Sequence, residues 1–446
     1  MTKKLNNQLN IHQEGLADII GVEEKIPFKK AFPFSLQHLF AMFGASVLVP
    51  ILLHVDPATA FLFNGIGTLL YAFITKRKIP AFLGSSFAFI APTLLLLDRG
   101  YSYAEVQGGF VVSGLVFAGV GILVAFIGTG WIKKIFPPAA MGAIIAIIGL
   151  ELAPNAVDMA GFPVGLSNSP TFNGTWVLVS MVTLITTILA TVLLKGFLKI
   201  IPILIGVVVG YITSCMVGLV NFNEIKEASI IAVPHMQMAK FNINAILTIL
   251  PATLVVIAEN IGHLAVTSSV VGKDLSKDPG LHRSLMGDGF STALSGLFGS
   301  VPTTTYGENI GVMALTKVYS VYVICGAGIL SILLAFSGTL ATIIKTIPTP
   351  VLGGISILLY GSIAASGIRT FIEAKVDYSK ARNLVLTSVV FVVGMSGMSL
   401  KIGAVDLKGM GLATVVAVVM SIAFLIFDKL GIMNEKEDAD EFVEEN

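Results

Sequence analysis

Two carboxylates lie deep inside apolar stretches of this sequence. Glu259 occurs in the stretch that leads to His263, and Glu308 has tens of apolar residues on either side. An ionisable group at membrane depth costs roughly 2.5–3.5 kcal/mol on insertion scales, so a carboxylate retained there predicts a functional site. His263 follows Glu259 by four residues, which places both side chains on one helix face, where they can share or pass a proton. The alternative interpretation, for this pair and for Glu308, is a polar contact that only joins helices.

The backbone around Glu308 is interrupted. Pro302, Gly307 and Gly311 fall within the stretch from Val301 to Lys317. Secondary transporters build substrate sites from discontinuous helices near the bilayer midplane, where free N–H groups and helix N-termini face the ligand. The stretch therefore predicts a binding site as well as a charge.

Five other residues are weaker candidates. Gln37 and His38, near the start of the first apolar run, are expected to hydrogen-bond the broken segments. Glu151 and Asp288 lie nearer the predicted membrane interfaces, which favours packing or capping roles. Phe87 could stack on a planar ring, although a phenylalanine in such a chain is more often a lipid-facing or core residue.

Composition indicates a multi-spanning membrane protein. The chain has 446 residues, of which 55% are hydrophobic and 12% charged, and a mean hydropathy of +0.88. Soluble proteins average about 25% charged residues. A net charge of +1 gives no basic surface for nucleic acid, and Cys215 and Cys325 lie in apolar runs that indicate neither a disulfide framework nor a metal site. The spans contain no hydrolase or protease motif, so we expect neither an enzyme nor a cofactor.

The apolar runs predict fourteen transmembrane spans, since a run of about 20 residues can cross the hydrocarbon core as a helix. Spans three, nine and ten are short and interrupted by glycine or proline. Most of the 28 Lys and Arg residues fall on the side of the N-terminus, which predicts that both termini are cytoplasmic. The spans are 35–54, 58–75, 80–97, 107–128, 136–153, 174–194, 200–220, 242–270, 287–300, 303–316, 320–338, 349–368, 383–398 and 409–427.

The two halves of the chain show a related pattern. Two units of seven spans have opposite orientations because seven is odd, so the pattern predicts an inverted repeat meeting at a midplane site. Chance recurrence of glycine and proline is the alternative. Residues of the fifth span align at one constant offset with residues of the twelfth: Pro138, Gly142 and Gly149 with Pro350, Gly354 and Gly361. Gly84-Ser85 and Gly299-Ser300 form a second such pair, each beside a broken segment.

One motif is specific to a family. Glu308-Asn309-x-Gly311-x-x-x-x-Thr316-Lys317 and the dipeptide Gln37-His38 resemble the signature and first-helix motifs of the nucleobase–ascorbate transporter family, and the resemblance extends from Pro33 to Lys429. Purine-transporting members commonly have glutamine at the position of Glu308. The glutamate therefore resembles the uracil-transporting branch.

The resemblance implies roles for individual residues. Glu259 and Glu308 would contact the base, Phe87 would pack on its ring, and Tyr306 and Gly307 would line the pocket with backbone groups. His263 would take part in proton coupling together with Glu259. Supporting residues would be Gln37, His38, Asn309 and Thr316. One departure is Asn260, which stands where relatives can have a histidine and is expected to modulate proton coupling without abolishing it.

The resemblance also implies the architecture: an all-α polytopic fold of fourteen segments in a 7+7 inverted repeat, with short strands in spans three and ten. Spans 1–4 (33–128) and 8–11 (242–340) would form a core domain, and spans 5–7 (129–241) and 12–14 (341–430) a gate domain. A mobile cytoplasmic tail (1–32) and an acidic one (431–446) would flank them, and gate contacts would form a homodimer.

Together these observations predict proton-coupled import of uracil across a bacterial cell membrane by alternating access. A xanthine or urate symporter of the same fold is the nearest alternative. An anion exchanger or channel on a similar 7+7 plan is another, but its site should present cations or helix dipoles to the anion, whereas this one presents acids.

Overall fold

A computed structural model describes residues 19–164, 172–403 and 405–434. Within these ranges, eight helices are long and apolar enough to cross a membrane, and four shorter apolar helices accompany them. The predicted acidic tail lies outside the described residues from position 435 onward. The predicted N-terminal tail does so up to position 18.

The first seven spans follow the predicted order. The first is divided between two helices, and the third is a strand followed by a short helix. The elements are α1 (Phe28–Ala41), α2 (Phe43–Leu52), α3 (Pro57–Ile74), β1 (Leu83–Ser85), a 3-10 turn (Phe87–Phe89), α4 (Ile90–Asp98), α5 (Tyr103–Ile127), α6 (Gly130–Ile135), α7 (Pro138–Met159), α8 (Gly174–Leu193), α9 (Pro202–Met216) and α10 (Phe222–Glu227).

The second half repeats this plan. Its third span is again a strand followed by a short helix, and a hairpin joins its last two spans. The elements are α11 (Ile243–Val271), α12 (Leu281–Leu297), β2 (Thr303–Thr305), α13 (Gly307–Thr316), α14 (Val321–Ala335), α15 (Gly338–Lys345), α16 (Thr349–Glu373), α17 (Ala381–Met395), β3 (Ser399–Ile402), β4 (Val405–Lys408) and α18 (Gly409–Lys429).

All fourteen predicted spans therefore have a counterpart, and the predicted fold class is confirmed. Several boundaries differ, and two helix starts differ by six residues or more. α1 begins at Phe28, inside the predicted tail, and α12 begins at Leu281 rather than at position 287. α12 is less apolar than its neighbours because it packs on protein, so hydropathy underestimates its length. Its Gly289 lies against the backbone of α5 at Ala118, where a side chain would not fit.

Local signals fix several helix starts. The Asp56 side chain accepts a hydrogen bond from the Ala58 N–H at 3.1 Å, and Pro57 occupies the first turn of α3. Ser102 and Glu105 form a capping box at the start of α5. These residues satisfy N–H groups that the first helical turn leaves without partners.

Helix packing follows the inverted repeat, in which each span of the first half is equivalent to the span seven positions later in the chain. α5 packs on α12 as α14 packs on α3, so spans four and nine correspond to spans eleven and two. α8 packs on α9 as α17 packs on α18. The helices fall into two groups, one containing α1, α3, α5, α11, α12 and α14, and the other α7, α8, α9, α16, α17 and α18.

Ion pairs mark the two ends of the bundle. At the end that we call the basic end, Lys78 lies 2.5 Å from Asp278, and Arg283 donates to the Ile74 carbonyl at 3.0 Å. At the opposite end, Arg99 after α4 forms an ion pair with Asp406 of β4. This second pair joins the two helix groups, because α4 precedes α5 and β4 precedes α18.

The glycines that related the two halves have different surroundings. α7 packs along α16, and a Cβ at Gly149 would overlap the Tyr360 carbonyl oxygen of α16. A Cβ at Gly361, its counterpart, would meet no atom within 4 Å. Only the first position requires glycine for close helix contact.

We expect Gly149→Ala to destabilise the protein and Gly361→Ala to leave its stability unchanged. The added methyl group at position 149 must separate α7 from α16, and overpacking of this kind costs typically 1–3 kcal/mol. Thermal unfolding of the two detergent-solubilised variants, followed by size-exclusion fluorescence, measures the difference. Equal melting temperatures would contradict the helix contact.

Candidate functional site

Two short strands, β1 and β2, pair at the centre of the candidate site, and we call this pair the strand crossing. β1 and β2 are antiparallel and their residues are buried, so each strand supplies the backbone partners of the other. The paired residues are Leu83 with Thr305, Gly84 with Thr304, and Ser85 with Thr303. Gly84-Ser85 lies within β1, whereas Gly299-Ser300 ends before β2 begins at Thr303. The predicted equivalence of these two dipeptides was therefore wrong by a few residues.

Each strand is followed by a helix that starts beside the other strand. β1 leads through the turn at Phe87 into α4, and β2 leads through Tyr306 into α13. The Tyr306 hydroxyl donates to the Ser85 carbonyl at 2.8 Å, which joins the two broken segments. The first turns of both helices leave backbone N–H groups that suit carbonyl or anionic groups of a ligand.

α11 carries Glu259 and His263 past this crossing. The His263 Nδ1 lies 3.0 Å from the Thr305 hydroxyl, so β2 orients the imidazole. A Cβ at Gly307 would lie 3.3 Å from His263 Nε2, a tight contact, so glycine lets α13 begin close against the ring. The side chains of Glu259 and His263 are both half-buried. The structure thus brings His263 to the N-terminus of α13, as expected for a shared site.

Glu308 lies in the first turn of α13. Its side chain is exposed, as are Gly311 and Ala314 farther along the helix. α13 packs on α11, the helix that carries Glu259. A carboxylate buried in an apolar environment needs water or a polar ligand beside it, so the exposed face of α13 is the candidate surface for a polar substrate.

Of the supporting residues, His38 and Asn309 hold the start of α13. The Asn309 amide donates to the His38 carbonyl at 3.0 Å and lies 3.0 Å from His38 Nδ1, and both residues are buried. Thr316 donates to the Val312 carbonyl at 2.9 Å and ends the helix. Gln37 is half-buried beside His38. His38 and Asn309 join α1 to α13, whereas Thr316 lies at the far end of α13, away from Glu308.

Phe87 contacts the other helix group. Its ring packs edge-on against Tyr360 of α16, with centroids 6.4 Å apart. Tyr360 was not predicted, because a single tyrosine in an apolar helix has no local pattern. The contact places an aromatic surface from each group beside the strand crossing.

The predicted packing role of Asp288 is confirmed, but its predicted place at the start of a span was wrong. It lies inside α12, fully buried, and accepts a hydrogen bond from the Asn260 amide at 2.9 Å. Ser284 donates to the Asn260 side-chain oxygen at 2.9 Å and lies 2.7 Å from the Tyr71 hydroxyl. Asn260 therefore fixes α11 against α12 and α3, and its position next to Glu259 was the available signal.

The interpretation of Glu151 as a packing or cap residue is confirmed. Its carboxylate accepts a hydrogen bond from the Met410 N–H at 2.8 Å, in the first turn of α18. The side chain thereby joins α7 to α18 within one helix group. Glu151 is thus not part of the strand-crossing site.

The fold, with two broken segments that meet at its centre, is that of a polytopic membrane transporter. A family model described as "Permease family" matches residues 29–403. This protein belongs to that permease family, the nucleobase–ascorbate transporter family.

Curated relatives match over nearly the whole chain. The uracil permease of Escherichia coli strain K12 is 56% identical over 94% of this chain and 98% of its own length. The uracil permease of Paenibacillus larvae is 54% identical over 94% of this chain and 99% of its own. That of Bacillus subtilis is 44% identical over 87% and 91%. All three carry transporter rather than enzyme names.

Solved structures share the fold at low identity. The transmembrane domain of the cyanobacterial bicarbonate transporter BicA aligns with a TM-score of 0.64 at 13% identity, covering 91% of this chain and all of that domain. The murine Slc26a9 anion transporter aligns with a TM-score of 0.68 at 12% identity, covering 91% of this chain and 69% of that one. This likeness establishes the 7+7 architecture.

We expect Tyr306→Phe to weaken substrate binding about fivefold, because it removes one hydrogen bond worth roughly 1 kcal/mol between the broken segments. Tyr103→Phe is the matched control. The Tyr103 hydroxyl donates to the Ser300 carbonyl at 3.0 Å, and this bond does not involve the segment of Glu308. Equilibrium binding to the purified variants makes the comparison. An equal effect of both substitutions would show that Tyr306 has no special place in the site.

Proposed function

We propose that this protein is a proton-coupled symporter that imports uracil by alternating access. The observation that carries the proposal is that α13, which carries Glu308, packs against α11, which carries Glu259, beside the paired strands β1 and β2. The uracil permeases that share more than half of its residues support the choice of base.

Uracil suits this arrangement chemically. Its flat ring has two N–H donors and two carbonyl acceptors, so carboxylate oxygens of Glu259 and Glu308 can accept from the donors. Backbone N–H groups at the start of α13 can donate to a carbonyl. Phe87 offers an apolar face to the ring. An apolar pocket alone would not fix the orientation of such a molecule.

The proton enters the proposal through the cost of burying charge. An unpaired carboxylate in a closed site is unfavourable, so Glu259 binds a proton before the site closes, and uracil completes the polar network. Opening on the other side rehydrates the carboxylate and releases both. His263, held by Thr305, orients the proton acceptor on the same helix face.

Movement of one helix group against the other supplies alternating access. We assign the core role to 33–128 and 242–340, and the gate role to 129–241 and 341–430. The Phe87–Tyr360 contact and the Arg99–Asp406 ion pair both cross between these units. We place the basic end, and with it both termini, in the bacterial cytoplasm, and we propose a homodimer through the gate units.

Two other functions remain as alternatives. A xanthine or urate symporter would use the same fold, but the acid at Glu308 suits a ring that offers donors on both sides. Anion exchange is suggested by the folds of BicA and Slc26a9. The proposed site opposes it, because two carboxylates repel an anion.

We expect purified protein to bind labelled uracil, and unlabelled uracil to displace it better than xanthine or urate. The reason is the match between two carboxylates and two ring N–H groups. Competition binding over a range of pH measures base preference and proton linkage together. Stronger displacement by xanthine or urate would reject uracil as the substrate.

We expect Glu259→Gln to abolish the acceleration of uracil uptake by an inward proton gradient, because glutamine cannot take up the proton. Uptake into proteoliposomes with an imposed pH gradient is the measurement. Glu151→Gln is the control, since its side chain only joins α7 to α18 and glutamine can still accept from Met410. Full acceleration in Glu259→Gln would exclude this residue as the proton carrier.

A further inference from the structure

A short N-terminal segment is hydrogen-bonded to the linker between α13 and α14. We call residues 20–25 the N-terminal strap. The Ile20 N–H donates to the Lys317 carbonyl at 3.1 Å, and the Ile20 carbonyl accepts from the Tyr319 N–H at 2.9 Å. The Val22 carbonyl accepts from the Val321 N–H at 2.9 Å. The strap therefore runs parallel to the linker as an added strand.

Side chains reinforce this backbone pairing. The Ser320 hydroxyl donates to the Glu24 carbonyl at 2.6 Å. The Lys25 ammonium lies 5.3 Å from the centre of the Tyr322 ring, within the range of a cation–π interaction. The contacts extend from one end of the strap to the other, so the whole segment is held.

Val22 is the apolar centre of the strap. It is only 3% exposed and packs in a small cluster with Ala72 of α3 and Val321 of α14. Val271, the last residue of α11, packs against the same cluster. The strap thus contacts the end of the helix that carries Glu259 and His263, as well as the linker that leaves the helix of Glu308.

α13 packs on α11 and α1 along one face, through buried residues such as Met313, and is open along the other face. It has ten residues, and Glu308, Gly311 and Ala314 on one face are exposed rather than packed. At its start it is tied to β2 and to His38, and it ends at Lys317, whose backbone is left-handed with φ of 57°. Glu308 lies about 13 Å from that end along a rigid helix, so a shift at the linker moves the carboxylate.

We infer that the N-terminal strap is a positioning element for substrate binding: by pairing with 317–321 and inserting Val22 beside Val271, it sets α13 relative to α11. The inference deepens the proposed function and rests on it where the readout is uracil. Neither the strap nor Val22 contacts the candidate site directly. Its effect is therefore on geometry, and it leaves the proton-accepting groups in place.

The test compares Val22→Asn with Ile19→Asn. Ile19 is 52% exposed one residue before the strap, so it is a matched control for adding an amide to this segment. We expect Val22→Asn to raise the KM for uracil about 5- to 10-fold, at the lower end of typical coupling between distant sites. Maximal rate and pH dependence should change little, and Ile19→Asn should behave as the unmodified protein.

Hydrogen exchange separates this inference from the choice of substrate. Amides of 307–316 should exchange faster in Val22→Asn than in Ile19→Asn without any ligand, because the strap no longer holds the end of α13. If the unmodified protein binds no uracil, the proposed function fails while this measurement still tests the strap. Unchanged exchange across 307–316 would overturn the inference whatever the transport result.

A milder variant covers the case in which Val22→Asn does not fold. Val22→Ala keeps an apolar side chain and removes two methyl groups, so it should show the same changes at reduced size. A lower melting temperature with unchanged KM and unchanged exchange across 307–316 would show that the strap only stabilises the fold. That result would also overturn the inference.

Discussion

Backbone hydrogen bonding in the middle of the membrane is the constraint on which this structure depends. A helix that breaks there exposes N–H and C=O groups that lipid cannot satisfy. Here the two breaks satisfy each other, because β1 and β2 pair residue for residue. The pairing permits two helix N-termini to face one another at the depth where Glu259 passes. The geometry of the candidate site is thus a consequence of how the breaks are paired.

The pairing also explains why the rest of the bundle is symmetric. β1 and β2 belong to spans three and ten, so the crossing relates the two halves of the chain. Helix contacts such as α5 on α12 and α14 on α3 follow the same inverted repeat. Symmetry does not extend to every residue, as Gly149 and Gly361 show, because each half also packs against different neighbours.

Features carried by local sequence could be predicted, and those that depend on contacts between distant segments could not. Apolar runs gave all fourteen spans, and the four-residue spacing of Glu259 and His263 gave one face of the site. The position of Asp288 within its helix was predicted wrongly, because hydropathy places the start of a protein-packed helix too late. Tyr360 and the strap were missed because an edge-on ring contact and a few backbone bonds leave no periodic pattern.

The pairing of β1 with β2 has a consequence for biogenesis. The ribosome completes β1 long before it synthesises Thr303–Thr305, so the first half enters the bilayer with an unpaired break. The translocon, lipid headgroups or water must accommodate those polar groups until the second half arrives. Insertion of the two halves is therefore a single cooperative event, and neither half expressed alone contains a finished crossing.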